Sequence, residues 1–357
     1  MQLFSPTSLG SLELSNRVVM APLTRVRSGA TGVPNDLVVE YYAQRATTGL
    51  IVSEGTYTSA VSQAYPGQPG IVTPEQVEGW RRVTDAVHAK GGLIVMQLMH
   101  GGRVTHPSIN GGSAPIAPSA IAIQGDVRTP DGKLPYPVPH APSEAEIPDL
   151  VEEMTRAARN AISAGFDGVE VHSANGYLLH EFLAPSSNIR DDAYGGSPGK
   201  RARFGIEVIT SVANEVGADR VGVRISPSHG IQDVIESDAD ETRATYEALL
   251  DGIAPLGLAY LSLLHEDPAG EFAQHLRARF GGPLMANSGF GVVTTREHAA
   301  ALIDDDMAET IAVGRMVIAN PDLVRRWSDD LELNEIDAST FYGDDARGYT
   351  DYPALAS

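Results

Sequence analysis

Short apolar runs alternate along the chain with segments in which apolar residues recur every three or four positions. Runs bounded by turn residues are typical of strands buried on both faces, and the longer spacing is typical of amphipathic helices. Eight runs predict strands: Arg17–Pro22, Leu50–Glu54, Leu93–Leu98, Gly168–His172, Val221–Ser226, Ala259–Leu263, Pro283–Ala286 and Thr310–Val313. The predicted helices span Asp36–Thr48, Thr73–Lys90, Glu144–Ala164, Lys200–Val216, Asp240–Ile253, Glu271–Phe280, Thr295–Ile303 and Pro321–Trp327. This uninterrupted alternation predicts an α/β protein built as a (β/α)₈ TIM barrel rather than a doubly wound sheet.

Three segments depart from the alternation. Leu9–Leu14 reads as a β-hairpin with Gly10 and Ser11 at its turn, and such a hairpin could plug one end of the barrel. Residues 100–143, after the third strand, are rich in Gly, Pro and Ser, and a connection this long predicts a cap over the barrel mouth. The aromatic-rich tail, residues 329–357, is expected to dock back over the barrel. We therefore predict one domain over residues 1–357.

The composition narrows the possible partners. The net charge of −20, from 26 basic against 46 acidic residues, argues against binding to nucleic acid or to anionic membranes. The chain has no cysteine, which excludes disulfides and thiolate chemistry. No apolar run approaches the roughly 20 residues needed to span a bilayer, and the first residues do not resemble a signal peptide. We expect a cytoplasmic protein, either a monomer or a small homo-oligomer, that acts on small molecules.

The segment Gly168–Phe182 turns from apolar to polar where a barrel strand would end. Strand alternation places His172 on the face opposite the valines, and Asn175 and Tyr177 follow closely. Two neutral hydrogen-bond donors beside a weak acid suit a site that holds a carbonyl oxygen and delivers a proton nearby. The alternative is that these are amphipathic strand-end residues with satisfied hydrogen bonds.

Other polar and glycine residues collect at the predicted strand ends, where barrels of this kind carry their reactive groups. They are Thr24, Gly55, Gln97, Arg224, Ser288, Gly289, Phe290, Gly314 and Arg315. The last five follow strands seven and eight, a common place for phosphate. An inward Arg224 is costly to bury unless it meets a strong acceptor, such as the N1–C2=O edge of a flavin. The alternatives are an ion pair with Glu170 for Arg224 and a surface ion pair for Arg315.

Other barrel chemistries fit the sequence less well. A Schiff-base enzyme needs a lysine at a strand end, but Lys90, Lys133 and Lys200 lie outside the strands. The histidines show no metal-ligand spacing, so no metal is expected. No Gly-x-Gly-x-x-Gly segment follows a strand, which disfavours a tightly held dinucleotide. A mononucleotide flavin across the barrel mouth fits best.

Six motifs in order resemble the Old Yellow Enzyme family of FMN-containing ene-reductases. They are Met20–Thr24, Val52–Gly55, Met96–Leu98, His172–Tyr177, Val223–Pro227 and Val313–Arg315. The resemblance implies that the flavin lies against Pro22, Leu23 and Thr24, with Gly55 and Gln97 at its pyrimidine side and Arg224 at its N1–O2 edge. It also implies that Ser288, Gly289, Phe290, Gly314 and Arg315 bind the ribityl phosphate.

The resemblance implies an activity as well: reduction of the C=C bond of α,β-unsaturated carbonyl or nitro-activated compounds by NADPH or NADH. Hydride would pass from flavin N5 to the β-carbon while His172 and Asn175 bind the substrate carbonyl and Tyr177 protonates the α-carbon. Met99 and Tyr342 would border the substrate. Met99 replaces a tryptophan found in many relatives, and the connection Glu266–Glu271 is short, so the substrate range stays open. The alternative is a flavin-binding barrel that acts as a sensor or store without turnover.

Overall fold

The computed structural model describes residues 1–355, so the last two residues of the predicted domain and tail lie outside the described residues. Its centre is a barrel of eight parallel strands, each paired with the next strand along the chain. The last strand pairs with the first, which closes the barrel. Strands 1 to 8 are Val18–Met20, Leu50–Val52, Ile94–Met99, Gly168–Ser173, Val221–Ile225, Tyr260–Leu264, Leu284–Asn287 and Thr310–Val313. The predicted (β/α)₈ barrel is confirmed.

The α-helices surround the barrel close to their predicted bounds. They span Asp36–Gln44, Pro74–His88, Ile147–Ser163, Leu178–Leu183, Pro198–Val216, Ala239–Ile253, Glu271–Phe280, Arg296–Asp304, Arg315–Ala319 and Leu323–Ser328. The predicted last helix, Pro321–Trp327, is present as Leu323–Ser328, but the short helix Arg315–Ala319 before it was not predicted. Asn320 between them is extended (φ −127°, ψ 91°), as expected for a residue that precedes a proline. The predictions also missed the helix Leu178–Leu183.

The N-terminal hairpin closes the end of the barrel opposite the carboxyl ends of the strands. Its strands, Thr7–Leu9 and Leu12–Leu14, pack Leu9, Leu12 and Leu14 into one apolar cluster with residues inside the barrel. Its turn lies so close to the backbone that a Cβ on Gly10 would be 2.2 Å from the Asp219 carbonyl oxygen, and Gly10 has φ +59°. The plug is confirmed, and it leaves the opposite end for polar groups.

The connection after strand 3 contains structure that the sequence analysis did not predict. A short antiparallel hairpin pairs Asp126–Thr129 with Gly132–Pro135, with Pro130 and Asp131 at its turn. Val104 and Ile123 from this connection pack in one buried cluster with Met99 and Tyr177. The connection therefore lies against the predicted catalytic stretch.

Three buried arginines hold the C-terminal segment on the barrel. Arg27 alone donates five hydrogen bonds of 2.9–3.1 Å to backbone carbonyls, those of Arg25, Thr340, Phe341, Asp345 and Arg347. Arg25 adds bonds to Phe341 and Gly348, and Arg45 contacts the Tyr349 carbonyl. The Tyr349 ring stacks on Tyr41 with centroids 4.0 Å apart. Buried carbonyls in this segment thus depend on guanidinium donors from the barrel.

Replacing Arg27 by methionine should lower the free energy of unfolding by about 2–4 kcal/mol, because several buried carbonyls lose a charged donor. The measurement is chemical denaturation. Arg347→Met is the matched control, since the Arg347 side chain is 73% exposed and only its carbonyl takes part in this network. Equal stabilities for the two variants would show that Arg27 does not anchor the segment.

Candidate active site

The segment after strand 4 brings three predicted site residues together. Val169 and Val171 point into the layer between strands and helices, so His172 points into the barrel. Asn175 follows in a left-handed conformation with φ +58°, and Tyr177 precedes the helix Leu178–Leu183 as its N-cap. The His172 and Tyr177 ring centroids are 5.2 Å apart.

The protonation of these residues suits hydrogen-bond donation. Burial, the charge of Arg224 and nearby His180 hold the pKa of His172 well below its ordinary value, so the imidazole is neutral at physiological pH. Burial raises the pKa of Tyr177, so its phenol keeps its proton. Within residues 1–355, the buried His172 Nδ1 and Asn175 Oδ1 have no hydrogen-bond partner. Such atoms are costly to bury unless a ligand meets them.

Two contacts of this group were not predicted from the sequence. The hydroxyls of Tyr65 and Tyr177 are 2.8 Å apart. Gln232, in the loop after strand 5, donates through Nε2 to the Asn175 carbonyl oxygen at 2.8 Å. Both residues lie in irregular loops, where the sequence has no periodicity that could have identified them.

The inward faces of strands 3, 4 and 5 carry a polar layer. Gln97 donates to the Glu170 carboxylate at 2.8 Å, and Arg224 donates to the Ser262 hydroxyl at 3.1 Å. Burial lowers the pKa of Arg224, and the charge of Glu170 offsets this only in part. The ion-pair alternative for Arg224 therefore explains only part of its surroundings, because within the described residues its buried Nε has no hydrogen-bond partner. The Arg224 Nε–H is therefore available to donate to an acceptor on a ligand bound at the barrel mouth.

Gly55 lies beside this layer, against the side chains of Met99 and Gln97. A Cβ at Gly55 would be 2.6 Å from Met99 Sδ and 3.3 Å from Gln97 Oε1. Gly55 and Gln97, predicted for the pyrimidine side, are thus neighbours of Met99, predicted to border the substrate.

The ends of strands 7 and 8 form a second polar group. Arg315 Nη2 donates to the Phe290 carbonyl oxygen and, at 3.2 Å, to that of Val292, so it joins the two strand-end loops. The Ser288 hydroxyl is buried and has no partner among residues 1–355, and Gly289 has φ +84°. Arg315 therefore bonds to backbone carbonyls rather than forming the surface ion pair of the alternative. An unpartnered buried hydroxyl beside a guanidinium suits a phosphate.

The remaining predicted residues lie around the same mouth. Pro22, Leu23 and Thr24 follow strand 1 and are partly exposed. Gly314 lies next to Leu23, since a Cβ on Gly314 would be 3.4 Å from Leu23 Cδ2. Phe290 is half exposed, with its ring 5.1 Å from that of His229. Tyr342 is 68% exposed, and its hydroxyl influences the pKa values of Tyr65 and Tyr177.

This set of groups fits a flavin mononucleotide. It offers an unsatisfied buried guanidinium for the ring edge and an unsatisfied hydroxyl with an arginine for the phosphate, at the end of the barrel opposite the plug. No group of His, Asp or Glu among residues 1–355 could hold a metal ion. None of the described helices is long and apolar enough to cross a membrane.

A parallel barrel whose mouth combines these donors with a protonated tyrosine defines a flavin-dependent oxidoreductase. Residues 2–334 match the family model described as NADH:flavin oxidoreductase / NADH oxidase family. The chain belongs to this family.

Individual relatives agree. A probable flavin mononucleotide-dependent alkene reductase from Leishmania infantum is 42% identical, with 99% of this chain and 97% of the relative covered. The structure of morphinone reductase in complex with tetrahydroNAD has a TM-score of 0.93 and 44% identity, covering 100% of this chain and 98% of that one. An old yellow enzyme homologue from Zymomonas mobilis also has a TM-score of 0.93, at 39% identity and with 99% and 100% covered. The predicted Old Yellow Enzyme membership, FMN cofactor, nicotinamide reductant and C=C reduction are confirmed.

Proposed function

We propose that the protein reduces the activated C=C bond of α,β-unsaturated ketones and aldehydes, and of nitroalkenes, with NADPH or NADH as the reductant. The observation that carries this proposal is the placement of a neutral His172 and of Asn175, whose side-chain NH₂ can donate, next to a protonated Tyr177. An enone presents one oxygen that needs donors and one carbon that needs a proton. The three side chains match these two needs.

The residues at the mouth would hold FMN as the sequence analysis expects. Pro22, Leu23 and Thr24 would line its ring, Gly55 and Gln97 its pyrimidine side and Arg224 its N1–O2 edge, and Ser288, Gly289, Phe290, Gly314 and Arg315 would bind its phosphate. When bound, FMN supplies a carrier that accepts hydride from the nicotinamide and passes it to the β-carbon.

The side chains of this protein supply the rest of the chemistry. His172 and Asn175 bind the carbonyl oxygen and stabilise the negative charge that builds on it in the transition state. Tyr177 donates the proton to the α-carbon, and its hydroxyl is oriented by Tyr65. Met99 and Tyr342 would border the substrate.

The organisation of the chain supports the same proposal. We infer that residues 1–357 act as one domain in which residues 100–143 cap the site and residues 329–357 lie over the barrel. We also infer a cytoplasmic protein that is a monomer or a small homo-oligomer. The contacts of Val104, Ile123 and the arginine-bound C-terminal segment support the single-domain organisation.

A visible spectrum and one assay test the proposal. The purified protein should be yellow, release FMN and not FAD on denaturation, and consume NADPH faster when cyclohexenone is added. A flavin-loaded protein whose NADPH consumption ignores cyclohexenone and nitroalkenes would favour the sensor or store instead. Nothing in the relatives favours that alternative.

Replacing Arg315 by alanine should weaken FMN retention, because it removes a fixed charge from the phosphate end of a protein with net charge −20. The expected loss is about tenfold or more in affinity, as for a charged hydrogen-bonding partner. Fluorescence titration of the apoprotein with FMN measures it. Arg325→Ala provides a control outside the predicted site. An unchanged FMN affinity in Arg315→Ala would place the phosphate elsewhere.

A further inference from the structure

The turn that carries Asn175 has an uncommon backbone conformation. Asn175 and Gly176 both lie in the left-handed region, with φ +58° and +77°. A residue with a side chain persists there only where its surroundings determine the conformation. The contacts that hold this turn in place therefore also set the direction of the Asn175 side-chain amide.

Three hydrogen bonds hold the turn. The backbone N–H of Asn175 donates to the Ser226 hydroxyl at 2.8 Å, and the backbone carbonyl of Asn175 accepts from Gln232. The Gly176 amide donates to Nδ1 of His180 at 3.0 Å. His180 lies one turn further along the same stretch, on the helix Leu178–Leu183, and neither the sequence analysis nor the proposed mechanism gives it a role.

The second nitrogen of His180 faces a buried carboxylate. Because Nδ1 accepts a hydrogen bond, the ring proton lies on Nε2, which is 3.5 Å from Glu236 Oε2. The side chain of His180 is 0% exposed and that of Glu236 is 2% exposed. Burial acts to raise the pKa of Glu236, but His180 and the Ser228 amide together lower it, so the carboxylate is ionised.

Glu236 closes the loop that also carries Gln232. Its Oε2 accepts from the Ser228 amide at 2.7 Å. Ser228, Gln232 and Asp233 all have positive φ values, so this loop too depends on its contacts. The turn and the loop touch directly, since a Cβ on Gly176 would be 2.7 Å from the Ile231 carbonyl oxygen.

We propose that His180 and Glu236 are positioning residues that clamp the strained Asn175–Gly176 turn to the strand-5 loop, and thereby aim the Asn175 amide at the substrate oxygen. The bond from Gly176 to Nδ1 holds the turn, and Nε2, 3.5 Å from Glu236 Oε2, orients the ring, so the Nδ1 bond carries most of the effect. The clamp rests on the proposed function, in which Asn175 and His172 bind that oxygen.

The test compares three variants of His180 in the FMN-loaded protein. Asparagine can place an oxygen near the position of Nδ1 and keep the bond to Gly176. Glutamine reaches towards Glu236, but its oxygen is misplaced for the bond from Gly176. Leucine removes the contacts to both Gly176 and Glu236. The probe is 4-hydroxybenzaldehyde, whose phenolate oxygen mimics the charged oxygen of the reduced enone, titrated by the change in flavin absorbance.

His180→Leu should raise the dissociation constant of 4-hydroxybenzaldehyde about tenfold and slow reoxidation of the reduced protein by cyclohexenone by ~10–10²-fold, as expected for a misplaced binding group. His180→Asn should stay within about threefold of wild type, and His180→Gln should resemble His180→Leu. His275→Gln, which removes a partly exposed histidine from its contact with Glu247, should leave both values unchanged. If His180→Leu does not fold, a higher affinity in His180→Asn than in His180→Gln supports the clamp.

Wild-type affinity in His180→Leu would overturn the proposal, as would equal affinities in His180→Asn and His180→Gln. The wild-type protein separates this outcome from a failure of the proposed function. If the wild type neither binds 4-hydroxybenzaldehyde nor reduces cyclohexenone, the substrate assignment fails. If the wild type does both and Asn175→Ala weakens binding while His180→Leu does not, only the clamp fails.

Discussion

Replacing Tyr177 by phenylalanine should slow reoxidation of the reduced protein by cyclohexenone by ~10²–10⁴-fold, the usual contribution of general acid catalysis. The substitution keeps the ring and its packing against Met99 and Val104 but removes the only proton that this side chain can give. Reduction of the protein by NADPH needs no proton at the α-carbon, so its rate should stay near that of wild type. Stopped-flow absorbance of the two half-reactions measures both rates.

The substrate provides an internal control for this prediction. A nitroalkene leaves a stable anion after hydride transfer, and water can protonate it after release, so the slowing should shrink. Tyr194→Phe is the matched variant, because it removes a hydroxyl that bonds to Glu207 at 3.0 Å on the outside of the barrel. Equal slowing of both half-reactions by Tyr177→Phe would mean that the tyrosine orients ligands and that another group delivers the proton.

The barrel was predictable because its strands are nearly all apolar and each is followed by a helix with a clear start or end. The helix Pro74–His88 shows this, with a Thr73 N-cap, a proline in its first turn and a Gln76 that completes the capping box. The helix Leu178–Leu183 was missed because it has only 6 residues, all of them buried, which is too short a segment to show helical spacing. The helix Arg315–Ala319 was missed because its 5 residues are too few to show a helical spacing of apolar positions.

The inward strand positions of the site follow from alternation, whereas contacts made by distant loops do not follow from the sequence. Alternation alone places Gln97 and Arg224 inside the barrel, and the register sets Gln97 beside Glu170 and Arg224 beside His172. Tyr65 and Gln232 reach the same place from loops whose path depends on long-range contacts. Sequence spacing carries no information about such contacts, so only the folded chain shows that Tyr65 meets Tyr177.

The neutral state of the oxygen-binding pair leads to an expected pH profile. Burial and the charge of Arg224 lower the pKa of His172, so its charge should not change as the pH falls from 8 towards the ordinary histidine value of about 6.5. Burial raises the pKa of Tyr177 above its ordinary value of about 10, so the proton donor persists at alkaline pH. The rate of reoxidation by cyclohexenone should therefore be flat from about pH 6.5 to 9. A tenfold change centred near pH 6.5 would show that His172 titrates like an exposed histidine.

Removing one donor of this pair should have a large effect at every pH in that range. Asn175→Ala should slow reoxidation by cyclohexenone by ~10²–10³-fold, the typical cost of losing one donor to a developing oxyanion, and should weaken binding of 4-hydroxybenzaldehyde. The control is Asn160→Ala, which removes an amide on the helix Ile147–Ser163 that donates to the Ile71 carbonyl at 2.9 Å. Because the donors act on charge that exists only after hydride transfer begins, the loss should fall on the rate constant more than on the Michaelis constant of the enone. A loss confined to the Michaelis constant would mean that Asn175 binds the ground state and the transition state equally, and that His172 alone stabilises the oxyanion.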